Sequence, residues 1–199
     1  MATWSDWFEQ ADSCLIDLGI KVNHEEDIMR LEQSGLPHFK KIVLNEFNER
    51  EIKLFFDKYK NVWVRLVNKE GKRKYKFNIK KYNELIAFIE DYPNHKIYLF
   101  ENCDTLYGGN VITFDKVVIE MVKGEQDLVG KSKVPFFHGF VNEYGRLEFI
   151  ESTSLDTKKV ALNILNKLEI SRNEYIKGYF EFLYSQKGKV YFIDYKLGF

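Results

Sequence analysis

"VVIEMVKGEQDLVGKSKVPFFHGFV", residues 117–141, contains a glycine-rich stretch that at first sight could wrap a phosphate, and its reading decides between two fold classes. A phosphate-binding loop of the Walker type needs a glycine, four residues and then Gly-Lys-Ser/Thr, between a strand and a helix, so that successive N–H groups surround the phosphates. Five residues separate Gly124 from Gly130, so the spacing fails. After Ser132 the chain runs into Pro135 and an aromatic cluster, which suits a strand and not a helix start. The stretch therefore reads as a strand, a glycine turn followed by acids, and a second strand.

Working outward, the same alternation recurs. "NVWVRLV" alternates around Val62, Val64 and Leu66. "GKRKYKFNI" places Arg73, Tyr75, Phe77 and Ile79 on one face and Lys72, Lys74 and Lys76 on the other, with Gly71 turning between the two strands. "KKIVL", "KIYLFE", "NVITF" and "KVVIEMV" read as strands, "FFHGFVNEYGRLEFIE" as a hairpin turning near 143–145, and "YIKGYFEFLYSQKGKVYFIDYKL" as a closing hairpin. Helical spacing marks 3–19 (Trp4, Trp7, Phe8, Ala11, Leu15, Leu18), a short segment ended by Gly35 and Pro37, a helix with Ile52, Phe55, Phe56 and Tyr59 on one face, and one with Tyr82, Leu85, Ile86 and Ile89. A last helix spans about 155–168, with Thr153 and Asp156 as its expected cap. Antiparallel strands with helices laid on them predict an α+β protein.

The 199 residues carry 30 basic and 30 acidic side chains, so no global field selects a nucleic acid or an anionic membrane. Cys14 and Cys103 stand far apart, without the spacing of a zinc site or a disulfide framework, and a reducing, cytoplasmic setting fits. The acid- and tryptophan-bearing start lacks the pattern of a signal peptide, and no segment approaches the apolar length of a membrane helix. His24, His38, His95 and His138 show no metal-binding spacing and read as structural or surface residues.

Three features suit a nucleotide site. Arg65 in "VWVRLV", with Lys76 on the next strand, supplies cations for phosphate oxygens. Glu120 lies in an apolar strand that ends at a glycine, with Glu125 and Asp127 just beyond it. Glu181 and Asp194 are acids inside the two arms of the closing hairpin, thirteen positions apart, where carboxylates could share a cation.

In these features the sequence resembles the ATP-grasp superfamily over about residues 30–199. "SGLPHFKKIVLNEFNEREIKLFFDKYKNVWVRLV" is similar to that family's opening helix and cation-bearing strand, "IEMVKGEQDLVGK" to its hinge strand, and "VYFIDYK" to its metal-binding terminal strand. The resemblance implies a two-lobed, mostly antiparallel fold: an N-terminal helical segment 1–40, a smaller lobe 41–118 and a larger lobe 119–199. It implies ATP and magnesium as cofactors, with Glu120 and the backbone of Met121 and Val122 at adenine and Glu125 or Asp127 at ribose. Arg65 and Lys76 would meet the phosphates, Glu181 and Asp194 the magnesium, and Arg65 and Lys196 would be the catalytic cations. The chain has Arg65 where the family usually has lysine, Lys196 where it has a metal-binding asparagine, and a flap with the single Gly71. A preceding substrate domain is not expected from the thirty or so residues ahead of the resemblance.

Three functions follow as expectations. One is an ATP-dependent carboxylate ligase acting through an acyl phosphate on a small-molecule or protein acceptor. The second is a diverged binding or regulatory subunit, working with a partner subunit or as a homo-oligomer. The third is nucleic-acid binding through the basic strand 69–77, disfavoured by the zero net charge.

Overall fold

The computed structural model describes residues 24–114, 116–124, 137–142, 144–149 and 154–197. The helix expected at 3–19 lies outside these residues, as do Glu125, Asp127 and Thr153. The described residues divide into two compact units, Phe39–Asp104 and those before and after it.

In the unit Phe39–Asp104, the strands β1 (Lys41–Leu44), β2 (Val62–Val67), β3 (Arg73–Ile79) and β4 (Lys96–Glu101) form an antiparallel sheet in the order β1-β4-β2-β3. Helices α2 (Glu49–Tyr59) and α3 (Tyr82–Glu90) pack on one face, where Ile52, Phe55, Phe56, Leu85 and Ile89 meet Val62, Val64, Leu66, Ile97 and Leu99. The start of α2 is set by Asn48, whose side chain accepts from the Glu51 amide at 3.2 Å and donates to the Glu51 carboxylate at 2.8 Å. This reciprocal cap satisfies one of the amides that a helix N-terminus leaves open. Gly71, at φ +78°, turns β2 into β3 as its position in the sequence suggests.

The other unit holds a six-stranded antiparallel sheet, ordered β12-β11-β5-β6-β7-β8. Its strands are β5 (Thr105–Thr113), β6 (Val117–Lys123), β7 (Phe137–Val141), β8 (Leu147–Phe149), β11 (Tyr179–Ser185) and β12 (Val190–Lys196). A short hairpin, β9 (Glu169–Ser171) and β10 (Glu174–Tyr175), stands apart from it. Helix α4 (Leu155–Leu168) buries Val160, Ala161, Ile164, Leu165 and Leu168 in one core with Val111, Ile119, Met121, Phe137, Phe180, Phe182 and Phe192 of the sheet. Its cap is Ser154, which accepts from the Thr157 amide at 3.3 Å and also meets the Thr157 hydroxyl at 2.8 Å. Helix α1 (His24–Gln33) lies along β12 and adds Leu31 to the same core.

The structure draws the unit boundary at Asp104/Thr105, not at 118. Strand β5 starts at Thr105 and pairs with β6 on one side and β11 on the other, so it is an inner strand of the larger sheet. Alternation in the sequence shows that a segment is a strand, but not which strand it pairs with. The segment 24–38 likewise joins the larger unit.

Gly109 on β5 accounts for the close approach at the middle of this sheet. A Cβ at this position would stand 2.0 Å from the Glu120 carbonyl oxygen and 2.7 Å from the Phe182 ring. Phe182 is directly opposite Gly109 in register and is fully buried, so its ring occupies the space the glycine leaves. Gly109→Ala is expected to lower stability by about 1–3 kcal/mol, as overpacking does in well-filled cores. Urea unfolding checks this; an unchanged midpoint would show that β5 and β6 are spaced more widely.

Candidate functional site

Because side chains alternate across a strand, the face of the larger sheet opposite the Phe180/Phe182 core carries the residues between the core positions. The register fills that second face with a polar row. Asp194 on β12 stands opposite Glu181 on β11, Glu181 opposite Asn110 on β5, Asn110 opposite Glu120 on β6, and Glu120 opposite His138 on β7. Each of the five directly faces its neighbour on the adjacent strand, where Cβ atoms are about 4.5–5.5 Å apart. The row is desolvated: Glu120 is 1% exposed, Asn110 3% and Asp194 5%, with Glu181 half-buried. Buried carboxylates require hydrogen-bond donors or cations.

At the β12 end, the Tyr179 hydroxyl donates to Glu181 Oε1 at 3.1 Å, and the Tyr195 amide donates to Asp194 Oδ1 at 3.0 Å. Lys196 Nζ lies 3.9 Å from Asp194 Oδ2 and 5.3 Å from the centre of the Tyr179 ring. A β-bulge follows Glu181, where the register moves from Glu181↔Asp194 to Phe182↔Phe192. That extra residue keeps Phe182 and Phe192 in the core while Glu181 and Asp194 remain opposite each other.

Asp27 on α1 belongs to the same electrostatic group. It is 5% exposed and bonded to Arg30 at 2.9 Å. Burial pushes its carboxyl from the ordinary 3.8 up to about 6; the Asp194 carboxylate adds to the rise, while Lys196 and Arg30 pull the other way. Its sequence signal is an acid on the helix stripe that also carries Leu31, four residues on, with an arginine three residues after it.

At the β7 end, His138 Nδ1 lies 3.9 Å from Glu120 Oε1, with its side chain 20% exposed. The sequence alone gives His138 a structural or surface place and attaches no meaning to Asn110. Both enter the row because of pairing that no local pattern reveals.

The hinge expectation requires correction at one residue. Met121 pairs with Gly109 of β5 on one side and Phe137 of β7 on the other, and its side chain is in the core. Its backbone is therefore an inner rung of the sheet. Val122 and Lys123 still pair with β5 but extend past the described register of β7.

In the smaller unit, Arg65 and Lys76 occupy opposite faces of the sheet. Lys76 is opposite Val64, on the helix side, where its ammonium bonds Glu84 of α3 at 2.9 Å and lies over Phe88. Arg65 is on the other face, between Tyr75 and Tyr98 in register, with its guanidinium 5.4 Å from the Trp63 ring centre. Trp63 in turn stacks on Phe100 at 3.9 Å, with 3° between the rings. The expectation that both cations reach one phosphate chain fails on this geometry. A shift between Val62 and Val64 in the β2–β3 register, with Asn78 at φ +55°, accompanies this arrangement.

Glu181 and Asp194 supply oxygen donors of the kind that suit magnesium, which commonly takes one or two carboxylates and completes its shell with water and phosphate oxygens. Among the described residues, no group of three or more His, Cys, Asp or Glu side chains is arranged to hold a metal by itself. No described helix is long and apolar enough to cross a membrane.

No family model and no curated protein matches the sequence. Solved structures are similar in fold. A RiPP-associated ATP-grasp ligase from Chryseobacterium gregarium, in complex with ADP and a leader and core peptide, is 14% identical with a TM-score of 0.49, over 86% of this chain and 50% of that one. D-alanyl-alanine synthetase A from Vibrio cholerae is 10% identical with a TM-score of 0.47, over 84% and 53%. N5-carboxyaminoimidazole synthetase from Staphylococcus aureus, complexed with ADP, is 13% identical with a TM-score of 0.45, over 84% and 41%. The chain thus spans about half the length of these structures. The likeness is one of fold and assigns no residue a role.

Asp27 makes stability depend on pH. Its folded form holds a proton up to about pH 6, whereas the unfolded chain releases it near 3.8, so its contribution is greatest below 3.8 and is lost as pH rises to 6. Relative to Asp27→Asn, the wild type should lose on the order of 2–3 kcal/mol between pH 4 and pH 7, at about 1.4 kcal/mol per pH unit. Parallel urea series at the two pH values check this; parallel slopes would mean a solvated carboxyl.

Proposed function

We propose that the chain is an ATP- and magnesium-binding, ATP-grasp-like protein that acts in ATP-dependent carboxylate activation. The observation that carries the reading is the register Asp194↔Glu181↔Asn110↔Glu120, which aligns three acids on one desolvated face of one sheet. Glu181 and Asp194 would hold the magnesium, whose role is to offset phosphate charge. Glu120 and the backbone of Val122 would meet the base, and Glu125 or Asp127, which follow in sequence, the ribose. Of the two cations expected at phosphates, Lys76 is bonded to Glu84 on the helix side of its sheet, while Arg65 lies on the other face, 5.4 Å from the Trp63 ring centre. In the reaction, a carboxylate oxygen of the substrate attacks the γ-phosphorus of ATP and ADP leaves with the electron pair of the broken bond. The resulting acyl phosphate is then attacked by an acceptor amine or thiol, which releases phosphate and a proton. Lys196 supports this chemistry as a fixed positive charge beside Asp194.

The same ammonium favours a second reading. A lysine 3.9 Å from Asp194 already neutralises part of the charge a metal would answer, which suits a subunit that binds nucleotide without turning it over. The nucleic-acid reading, through strand 69–77, is disfavoured by the zero net charge and by the pairing of Lys72 and Lys76 with Glu70 and Glu84 at 2.8 and 2.9 Å, although Tyr75 of that strand is exposed.

Calorimetric titration with ATP, with and without magnesium, tests the reading. We expect magnesium-dependent binding, with a stability gain of about 2.7 kcal/mol at a hundredfold excess over Kd. Asp194→Asn should remove the magnesium dependence and leave metal-free adenosine binding in place. Absence of any nucleotide binding contradicts the proposal. Release of ADP on adding carboxylates recovered with the purified protein separates the ligase from the non-catalytic subunit.

A further inference from the structure

Glu181 faces Asp194 across the closing hairpin, and two residues away on both arms Tyr179 faces Lys196. These four side chains form a square on the face that carries the polar row. The Tyr179 hydroxyl donates to Glu181 Oε1 at 3.1 Å, and the Lys196 ammonium lies 5.3 Å from the centre of the Tyr179 ring. The same ammonium stands 3.9 Å from Asp194 Oδ2, an ion pair longer than a hydrogen bond. Both charges are felt on α1: burial lifts the Asp27 carboxyl to about 6, the Asp194 carboxylate adds to the rise, and Lys196 opposes it. The Lys196 side chain keeps 24% of its surface exposed, so a solute can reach the ammonium.

If Asp194 and Glu181 hold a divalent cation, Asp194 serves that cation and the Lys196 ammonium at once. Like charges that share a partly desolvated carboxylate repel, and water screens them little there. An oxyanion that meets both positive charges removes the repulsion, since its oxygens accept from the ammonium and also suit the metal.

We propose that Lys196 makes the carboxylate pair a conditional metal site, which holds a divalent cation weakly alone and tightly together with an oxyanion bound by the ammonium. The proposal rests on the reading of Glu181 and Asp194 as a metal pair and adds to it the group that decides when the metal stays. Linkage makes the effect reciprocal: the cation strengthens the anion as much as the anion strengthens the cation. A lysine that served only as the counter-charge of Asp194 would weaken the metal too, but would couple it to no anion.

Manganese and inorganic phosphate, applied to the full chain, give the test, with free Mn2+ read by electron paramagnetic resonance and corrected for manganese phosphate formed in solution. Phosphate should tighten manganese binding to the wild type by about tenfold, within the usual range of coupling between sites. Lys196→Met keeps the length of the side chain and a favourable contact with the Tyr179 ring but removes the charge. It should bind manganese alone about tenfold more tightly than the wild type and lose most of the phosphate effect. Lys196→Arg, which keeps the charge and binds oxyanions, should retain the wild-type pattern. Lys196 is partly exposed, so these variants are expected to fold, and thermal midpoints check it. Equal manganese affinities in wild type and Lys196→Met would overturn the coupling and leave the metal pair intact. So would a phosphate effect that is absent from the wild type or survives in Lys196→Met. Failure of manganese to bind any of the three proteins, with or without phosphate, would overturn the metal pair and the coupling with it.

Discussion

The antiparallel register across β12, β11, β5, β6 and β7 is the constraint on which the rest of the structure depends. With a side-chain period of two, one choice of register decides every residue on both faces at once, and a slip by a single residue would exchange them. Here the apolar set is Phe180, Phe182, Val111, Ile119, Met121 and Phe137, buried with α4. Its complement is the polar row. The hydrophobic core therefore pins the row: moving Glu181 or Glu120 off its face would require expelling Phe182 or Met121 from the interior, at roughly 1.5–3 kcal/mol for each side chain exposed. Gly109 and the bulge after Glu181 are the two local departures from regularity that let this register close without a clash.

Electrostatics gives the row direction. Acids flank Asn110 at its middle, with the Lys196 ammonium beside Asp194 at one end and the His138 imidazole beside Glu120 at the other. Asp27 and Arg30 of α1 extend the charged group beyond the sheet edge, where Arg30 also reaches the Tyr195 carbonyl at 3.5 Å. Desolvated carboxylates lined up in this way are costly to keep for stability alone, because apolar residues on the same positions would pack without that penalty. Carboxylates so placed need hydrogen-bond donors or cations as partners.

Much of this was legible in the sequence. The α+β class, the helices at 49–59, 82–90 and 155–168, and the turns at Gly71 and Gly145 follow from periodicity and turn chemistry, which are local. Glu120, Glu181 and Asp194 could be singled out because each interrupts an apolar strand. What local pattern does not carry is pairing. The assignment of β5 to the larger sheet, the enclosure of Met121 between two strands, and the entry of Asn110 and His138 into the row all depend on which strand lies next to which. The separation of Arg65 from Lys76 depends on the shift in the β2–β3 register, and the sequence carries no mark of it beyond an asparagine in the strand. Asp27 was missed for another reason. An acid in a short helix rich in acids looks solvated until the helix is seen lying against β12.

The central claim is that Glu181 and Asp194 face one another and hold a cation together. Amide NMR of the protein with ADP and Mn2+ in place of Mg2+ tests it most directly, because the paramagnetic ion broadens the signals nearest to it. The account predicts that the amides around 181 and 194 disappear first and together, with Asn110 next and Lys167 at the end of α4 unaffected. Broadening centred elsewhere, with the amides of 181 and 194 still sharp, would contradict it.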